Sequence, residues 1–460
     1  MAHALEIWGV SDPNISAQLA LAAQLDLFRQ EAGMTVTCKF IESGTTMPSD
    51  ILTAEHPPFA FTQTPITSLV LHEQHFPTTI VAPLADIAGT QQVLVHEDSG
   101  IAAPKDLEGK RIGMAKGAAV YMALKNMAND CQVNLNTVEF VHLMPHEQLA
   151  AFEHREIDAI ACWEPWTTKA RTMGGRFYFS GTQSEIPGFE GNINWLINQS
   201  CLIVPNEHTQ TRSDEIVAIL KVLHKATDML NSDRKAMSRE LATFFGLSRM
   251  ELLMAMQKNT YSMNMDTLFR IGVLSFRDFL RANDRITTMY SEDELYTTAF
   301  LQQAVPENVT LTGTAAQNYT IHEHEGIYYR DDVSLRSNGS PLRFVLADDS
   351  KFMRVTLKRI VGKIGGEVIG EATDGNEAIE LFSQLRPNVM TMDLSMPGVS
   401  GVDAIRSILS ADPTASIIVI SGANLVELRQ QVFDLGVKMF ISKPFEPQKV
   451  TDVLSGHVST

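Results

Sequence analysis

RFVLADDS (residues 343–350), VMTMDLSMPGVSG (389–401), SIIVISG (416–422) and MFISKPF (439–445) decide how the last part of this chain folds. Each opens on an apolar run of strand length and ends on a residue able to do chemistry: Asp348-Asp349, Asp393, Ser421 and Lys443. Together with a further run they predict five strands, Arg343–Ala347, Gly366–Ala372, Val389–Met392, Ser416–Ser421 and Met439–Ile441. Helices are predicted to begin near Ser350, Gly375, Ser400, Asn424 and Pro447. Strand–helix alternation of this kind means a parallel sheet covered by helices on both faces.

In such a sheet the functional groups collect at the carboxyl ends of the strands, where the loops diverge. Three carboxylates brought to one crevice repel one another and call for a hard divalent cation. Mg²⁺ suits, because it accepts a few carboxylate oxygens and keeps several waters. One carboxylate can then act as nucleophile toward a phosphoryl group and become an aspartyl phosphate. A lysine opposite pairs first with the carboxylate and then with the phosphoryl oxygens, and a hydroxyl at Ser421 can follow. A single Asp at a strand end is usually a helix cap or a solvated charge; several such residues in register are not.

These motifs resemble those of bacterial response-regulator receivers, in order and over residues 341–460. The resemblance implies a flavodoxin-like (βα)5 domain, phosphorylated on Asp393 by a histidine kinase. It implies Mg²⁺ held by Asp348, Asp349, Asp393 and the Ser395 carbonyl, with Ser421 and Lys443 reading the phosphoryl group. Phe440 would be the aromatic switch. Family members often have Thr and Tyr where this chain has Ser421 and Phe440, both mild departures.

Upstream, short apolar runs alternate with helix-period segments as far as about residue 310, the pattern of α/β architecture. Helices are predicted over Ser16–Phe28 and Asp214–Leu230, and residues 214–305 read as almost entirely helical, with a break at Gly246-Leu-Ser248 and Ser248 as an N-cap. DLEGKRIGMAKGAAVYMALKNM (106–127) and AAFEHREIDAIACWEPWTTKA (150–170), with PFAFTQTPITSL (58–69) and EIWGVSDPN (6–14), resemble the periplasmic-binding-protein superfamily. The nearest type binds sulfonates, taurine, nitrate or thiamine-pyrimidine precursors. The resemblance implies a two-lobed domain over residues 1–310, lobe one being 1–88 and 200–310 and lobe two 89–199, with ligand between them.

Thr64-Pro65 and Gly117-Ala118 sit where helices start, and helix N-termini suit anionic groups. Thr46, with Gly44, offers further donors. Trp8, Tyr121, Trp163 and Trp166 are candidate aromatic walls, and Glu164 stands ready for a ligand amine or for Lys169. His142, His146 and His154 match no metal-binding spacing and read as surface or structural. Between the two regions, residues 311–340 lose periodicity and read as a linker whose aromatic centre, EGIYYRDD (325–332), packs against a domain.

The chain has 460 residues and a net charge of −17. Residues 341–460 hold 12 Lys+Arg and 14 Asp+Glu, so the acidity lies upstream. This excludes a surface built to neutralise nucleic-acid phosphates. The four cysteines, Cys38, Cys131, Cys162 and Cys201, are too scattered for a disulfide or zinc framework. They also lack the cluster expected of the iron-dependent thiamine-pyrimidine synthases of the same superfamily. No apolar run spans a bilayer, and the N-terminus opens on a strand-like segment, so a cytoplasmic protein is expected. The expected function is signalling and not enzymatic. A histidine kinase, a small ligand of the sulfonate, nitrate or pyrimidine kind and a downstream protein are the partners, since nothing DNA-binding follows the receiver. The alternative readings are a thiamine-pyrimidine-synthase-like enzyme and a ligand-free scaffold with a phosphorylation switch.

Overall fold

The computed structural model describes residues 5–311, 320–333, 335–336, 341–396, 401–412, 414–422 and 426–459. The chain forms two compact units, one from Met1–Gly191 with Trp195–Leu311 and the other from Thr312–Thr460 with the short segment Asn192–Asn194.

The first unit contains β1 (Leu5–Val10), β2 (Val36–Ile41), β3 (Ala60–Gln63), β4 (Thr78–Asp86), β5 (Gln91–His96), β6 (Arg111–Met114) and β7 (Glu139–His142). It continues with β8 (Ala159–Trp163), β9 (Gly175–Ser180), β10 (Gln183–Ser184), β11 (Gly191–Asn192), β12 (Gln199–Pro205) and β13 (Thr260–Tyr261). These make two sheets, in orders β13-β4-β12-β3-β1-β2 and β11-β10-β9-β5-β8-β6-β7. Each sheet belongs to one lobe, and the chain passes between them at residues 86–91 and 192–199. Strands β4 and β5 are buried along nearly their whole length, which is why they read as unbroken apolar runs rather than alternating ones.

The helical half of the first unit follows its period. Ser213–Ser232 buries Ile216, Ile219, Leu220, Leu223, Ala226 and Leu230, the i, i+3, i+4, i+7 stripe of an amphipathic helix. Ser248 caps the helix Arg249–Gln257: its hydroxyl accepts from the Glu251 N–H at 3.2 Å, and the Glu251 carboxylate accepts from the Ser248 N–H at 2.9 Å. One helix differs from expectation. The stretch read as Ser16–Phe28 is two helices, Pro13–Gln24 and Leu27–Ala32, because Asp26 sits at φ 52° between them.

The second unit holds β14 (Ile321–His324), β15 (Ile327–Arg330), β16 (Leu335–Arg336), β17 (Arg343–Ala347), β18 (Glu367–Ala372), β19 (Val389–Met392), β20 (Ile417–Ser421), β21 (Met439–Ser442) and β22 (Val458–Ser459). The main sheet runs β14-β15-β21-β20-β19-β17-β18. Its five strands from β17 onward are parallel, as the motifs predict. The helices are Lys351–Lys363, Gly375–Leu385, Gly401–Ala411, Val426–Leu435 and Pro447–His457; the expected starts Ser400 and Asn424 lie outside the described residues. The surprise is at the edge. Part of the expected linker is a β-hairpin that extends the receiver-like sheet beyond β21, so EGIYYRDD packs as strand and turn and not as a tether.

Candidate functional site

At the carboxyl ends of β17 and β19 stand Asp348, Asp349 and Asp393, and all three offer carboxylate oxygens within 4.8 Å of one another. Asp348 and Asp393 are almost fully buried. Lys443, just past β21, donates to Asp348 at 2.8 Å and to Asp393 at 2.7 Å. Burial pushes the Asp348 carboxyl up to about 6 against the pull of Lys443, and burial also raises Asp349. Burial alone would lower Lys443, but the charges of Asp393 and Asp348 outweigh it and hold the ammonium above its usual range.

The loops are fixed locally. Arg354 donates to the carbonyls of Asp348 and Asp349 at 2.7 and 3.1 Å, and the Ser395 N–H donates to Asp393 Oδ1 at 3.2 Å. Gly401 shows why the Asp393 motif ends on glycine: a Cβ there would lie 2.0 Å from the Asp393 carbonyl oxygen. Ser421 is buried, with its carbonyl accepting from the Lys443 N–H at 2.9 Å. Phe440 is wholly buried in β21. The donor set, three crowded carboxylates short of positive charge, fits a hard divalent cation.

The second site is in the first unit. A cavity of about 230 Å³ lies between the two lobes. Lobe one contributes Asp12, Gly44, Thr64 and Arg285; lobe two contributes Gln91, Lys116, Gly117, Ala118 and Trp163, and Asn198 lies at the crossing. Most follow strand ends, the place where α/β sheets bind ligands. Asp12 caps the helix Pro13–Gln24, accepting from the Asn14 N–H at 2.8 Å. Burial pushes its carboxyl up to about 7. Asn198 is 1% exposed, and both polar atoms of its side chain are without partners. Gly117, at φ 81°, sits beneath Arg285, whose guanidinium would be 3.2 Å from a Cβ. Beside this cavity a second one of about 510 Å³ shares Val10, Asp12, Gly44 and Trp163, and adds Trp166, Phe245 and Leu247.

Thr64, Gly117, Ala118 and Trp163 therefore line the inner cavity, and Thr46 lines only the outer one. Trp8, Tyr121 and Glu164 do not line either. Trp8 is buried in β1 under Lys39, whose ammonium lies 3.8 Å from the ring. Tyr121 packs edge-on against Phe140 and Phe279. Glu164 is fully buried and takes hydrogen bonds from Lys258, from Gln92 at 3.0 Å and from the Thr168 N–H at 3.1 Å. Its carbonyl accepts from Asn14 at 2.7 Å, and Asn14 in turn accepts from Asn259 at 3.0 Å. The expected partner Lys169 instead lies over the Trp166 ring. Glu164 is thus a fastening between lobes and not a ligand group. Sequence reasoning missed Asp12, Lys116, Asn198 and Arg285. Asp12 and Lys116 lie inside quoted stretches without being singled out, and the last two come from distant loops with no local signal.

Residues 344–455 match the family described as response regulator receiver domain. Chemotaxis protein CheY of Thermotoga maritima is 44% identical over 113 residues, 25% of this chain and 94% of that protein. The chain belongs to the response regulator receiver family. Ahead of the receiver, residues 14–236 match the family described as NMT1/THI5 like. The fold of this region is that of the periplasmic aliphatic sulphonate binding protein SsuA from Escherichia coli, at TM-score 0.55 and 15% identity, covering 70% of this chain and 98% of that one. The alkanesulfonate-binding protein SsuA from Xanthomonas axonopodis pv. citri, solved with MOPS, gives TM-score 0.53 and 17% identity over 64% of this chain and 97% of that one. The receiver is therefore joined to a binding-protein-like domain. Among the described residues, no helix is long and apolar enough to cross a membrane.

Proposed function

We propose that this chain is a cytoplasmic two-component signalling protein whose receiver is phosphorylated on Asp393 by a histidine kinase and whose N-terminal unit binds a small metabolite. The observation that carries the first half is the grip of Lys443 on both Asp348 and Asp393 beside Asp349. Asp348, Asp349, Asp393 and the Ser395 carbonyl would hold Mg²⁺, which supplies charge neutralisation for the carboxylates and the phosphoryl group. An Asp393 carboxylate oxygen attacks the phosphorus of a phosphohistidine, and the P–N bond breaks as the imidazole leaves with its electron pair. Lys443 turns from the carboxylates to the new phosphoryl oxygens, with the Ser421 hydroxyl near them.

The second half rests on the cavity between the lobes, whose lining includes Asn198, a buried amide with two unmet polar atoms. Leaving such groups unpaired is costly, and a ligand satisfies them. Lys116 and Arg285 favour an anionic end, and Asp12 favours an N–H donor or amine at the other. A small sulfonate, carboxylate or nitrogen heterocycle that bears both meets this pattern better than nitrate.

Incubation with acetyl phosphate and Mg²⁺ tests the receiver: the parent should be labelled and Asp393→Asn should not. Equal labelling of the two sinks the assignment. A thermal-shift panel of sulfonates, amino acids and pyrimidines tests the cleft, since a ligand that binds only the native state raises Tm by mass action. Trp163→Ala should remove most of the shift. No shift with any compound returns the domain to the ligand-free scaffold reading.

A further inference from the structure

Strand β21, which pairs with β20 on one side and the hairpin strand β15 on the other, carries the receiver's chemistry and something else. Its register with the hairpin pairs Ile441 with Ile327, Phe440 with Tyr328 and Met439 with Tyr329, antiparallel. The Ser442 N–H donates to the Gly326 carbonyl at 3.0 Å, at the hairpin turn. The residue after Ser442 is Lys443, the one that grips Asp393. Three consecutive features of one short segment thus touch the hairpin side chains, the hairpin turn and the phosphoacceptor.

Side chains reinforce the pairing. Tyr328 stands edge-on to Phe440, with ring centroids 6.4 Å apart, and the Arg429 guanidinium lies 3.8 Å from the Tyr328 ring. Tyr328 also donates its hydroxyl to Glu323 at 2.9 Å. Lys449, from the last receiver helix, binds Glu325 in the turn at 2.8 Å. Ile327 is buried in the same core as Phe344, Met439 and Ile441.

We infer that the hairpin Ile321–Arg330 is the receiver's own output element, a strand pair added in cis to β21 whose hold on that strand depends on the phosphorylation of Asp393. The inference rests on the phosphorylation proposed above. When Lys443 leaves two carboxylates for a phosphoryl group on Asp393, its backbone neighbour Ser442 is the hairpin's nearest attachment. A shift there weakens the bond to Gly326 and the contact between Phe440 and Tyr328. The hairpin occupies the β21 edge, so a partner that reads the receiver by strand addition at that edge has to displace it. In sequence, the hairpin lies between the binding-protein-like unit and β17, so a change in its pairing acts on the connection between the two domains.

Hydrogen exchange of the full chain, read by mass spectrometry with Mg²⁺ alone and with Mg²⁺ plus beryllofluoride, tests this. Peptides covering Asp393 and Lys443 should become protected, and amides of Ile327–Arg330 should exchange about fivefold faster or more, in the usual range of coupling between sites. Tyr328→Ala should lower the beryllofluoride concentration needed for half-protection at Asp393, and Tyr328→Phe should restore the parent value. Protection at Asp393 with unchanged exchange in the hairpin overturns the inference and leaves the receiver intact. No protection at Asp393 overturns the receiver chemistry and the inference with it.

Discussion

Asp12 sits half-buried at the start of its helix, and burial pushes its carboxyl from 3.8 up to about 7. The folded state therefore prefers the protonated form. Below the unfolded value both states are protonated and nothing is lost. As pH rises toward 7 the unfolded chain ionises first, so stability falls, and it levels off once both states are ionised. Asp12→Asn keeps the cap and removes the titration. Its Tm advantage over the parent should be near zero at pH 4 and should grow to that of about 1–2 kcal/mol by pH 8, moderated by solvent at this half-exposed group. A difference independent of pH would show that Asp12 ionises normally. Asp12 also marks the limit of what the sequence showed at this scale. Asp348, Asp349, Asp393, Ser421 and Lys443 were legible because each closes a strand within one run of motifs. Asp12, Asn198 and Arg285 are brought together by three loops far apart in the chain, and no spacing encodes that. Trp8 and Tyr121 misled because an aromatic near a strand end or helix start fits a wall and a core equally well.

At the scale of elements, the parallel receiver strands were legible to within a residue or two, since buried parallel strands are near-continuous apolar runs. The hairpin was not, because IHEH and IYYR are short and carry polar residues on exposed faces, which mimics a linker. The fastening of Glu164 to Lys258 was hidden for another reason: its halves are 94 residues apart. It joins the end of β8 in one lobe to the residue two before β13 in the other. Coulomb attraction and hydrogen bonds to Lys258 hold the Glu164 carboxyl below its usual range despite the opposing effect of burial. Removing one member of a buried pair leaves an uncompensated charge, at a cost of about 3–5 kcal/mol. Lys258→Met should therefore lower the urea midpoint of the first unit strongly. Adding Glu164→Gln should recover part of that loss, since the buried charge is gone and the one amide oxygen still accepts from either Gln92 or the Thr168 N–H. If the single variant loses less than about 1 kcal/mol, the pair behaves as a solvent-exposed one.

If both proposed sites act, the whole chain joins two binding equilibria, a small molecule in the cleft and a phosphoryl group on Asp393, through a segment paired with the receiver's β21. Covalent joining does not make them one device. They are coupled only if each ligand prefers one of two states of the molecule, and that coupling has to be reciprocal. The compound with the largest thermal shift can be titrated by calorimetry with Mg²⁺ alone and with Mg²⁺ plus beryllofluoride, which avoids the kinetics of phosphotransfer. The expected result is a change in Kd of about fivefold or more, corresponding to a coupling of about 1 kcal/mol or above. The converse titration of beryllofluoride, with and without the compound, should show the same factor. In Tyr328→Ala the factor should collapse toward one, because the ring contact with Phe440 is then gone, while each separate affinity remains measurable. Two Kd values that agree within error in the parent would mean that ligand and phosphoryl group are read independently. The fusion would then serve only to keep sensor and receiver at one place, and the hairpin would be a clasp for the sheet edge and nothing more.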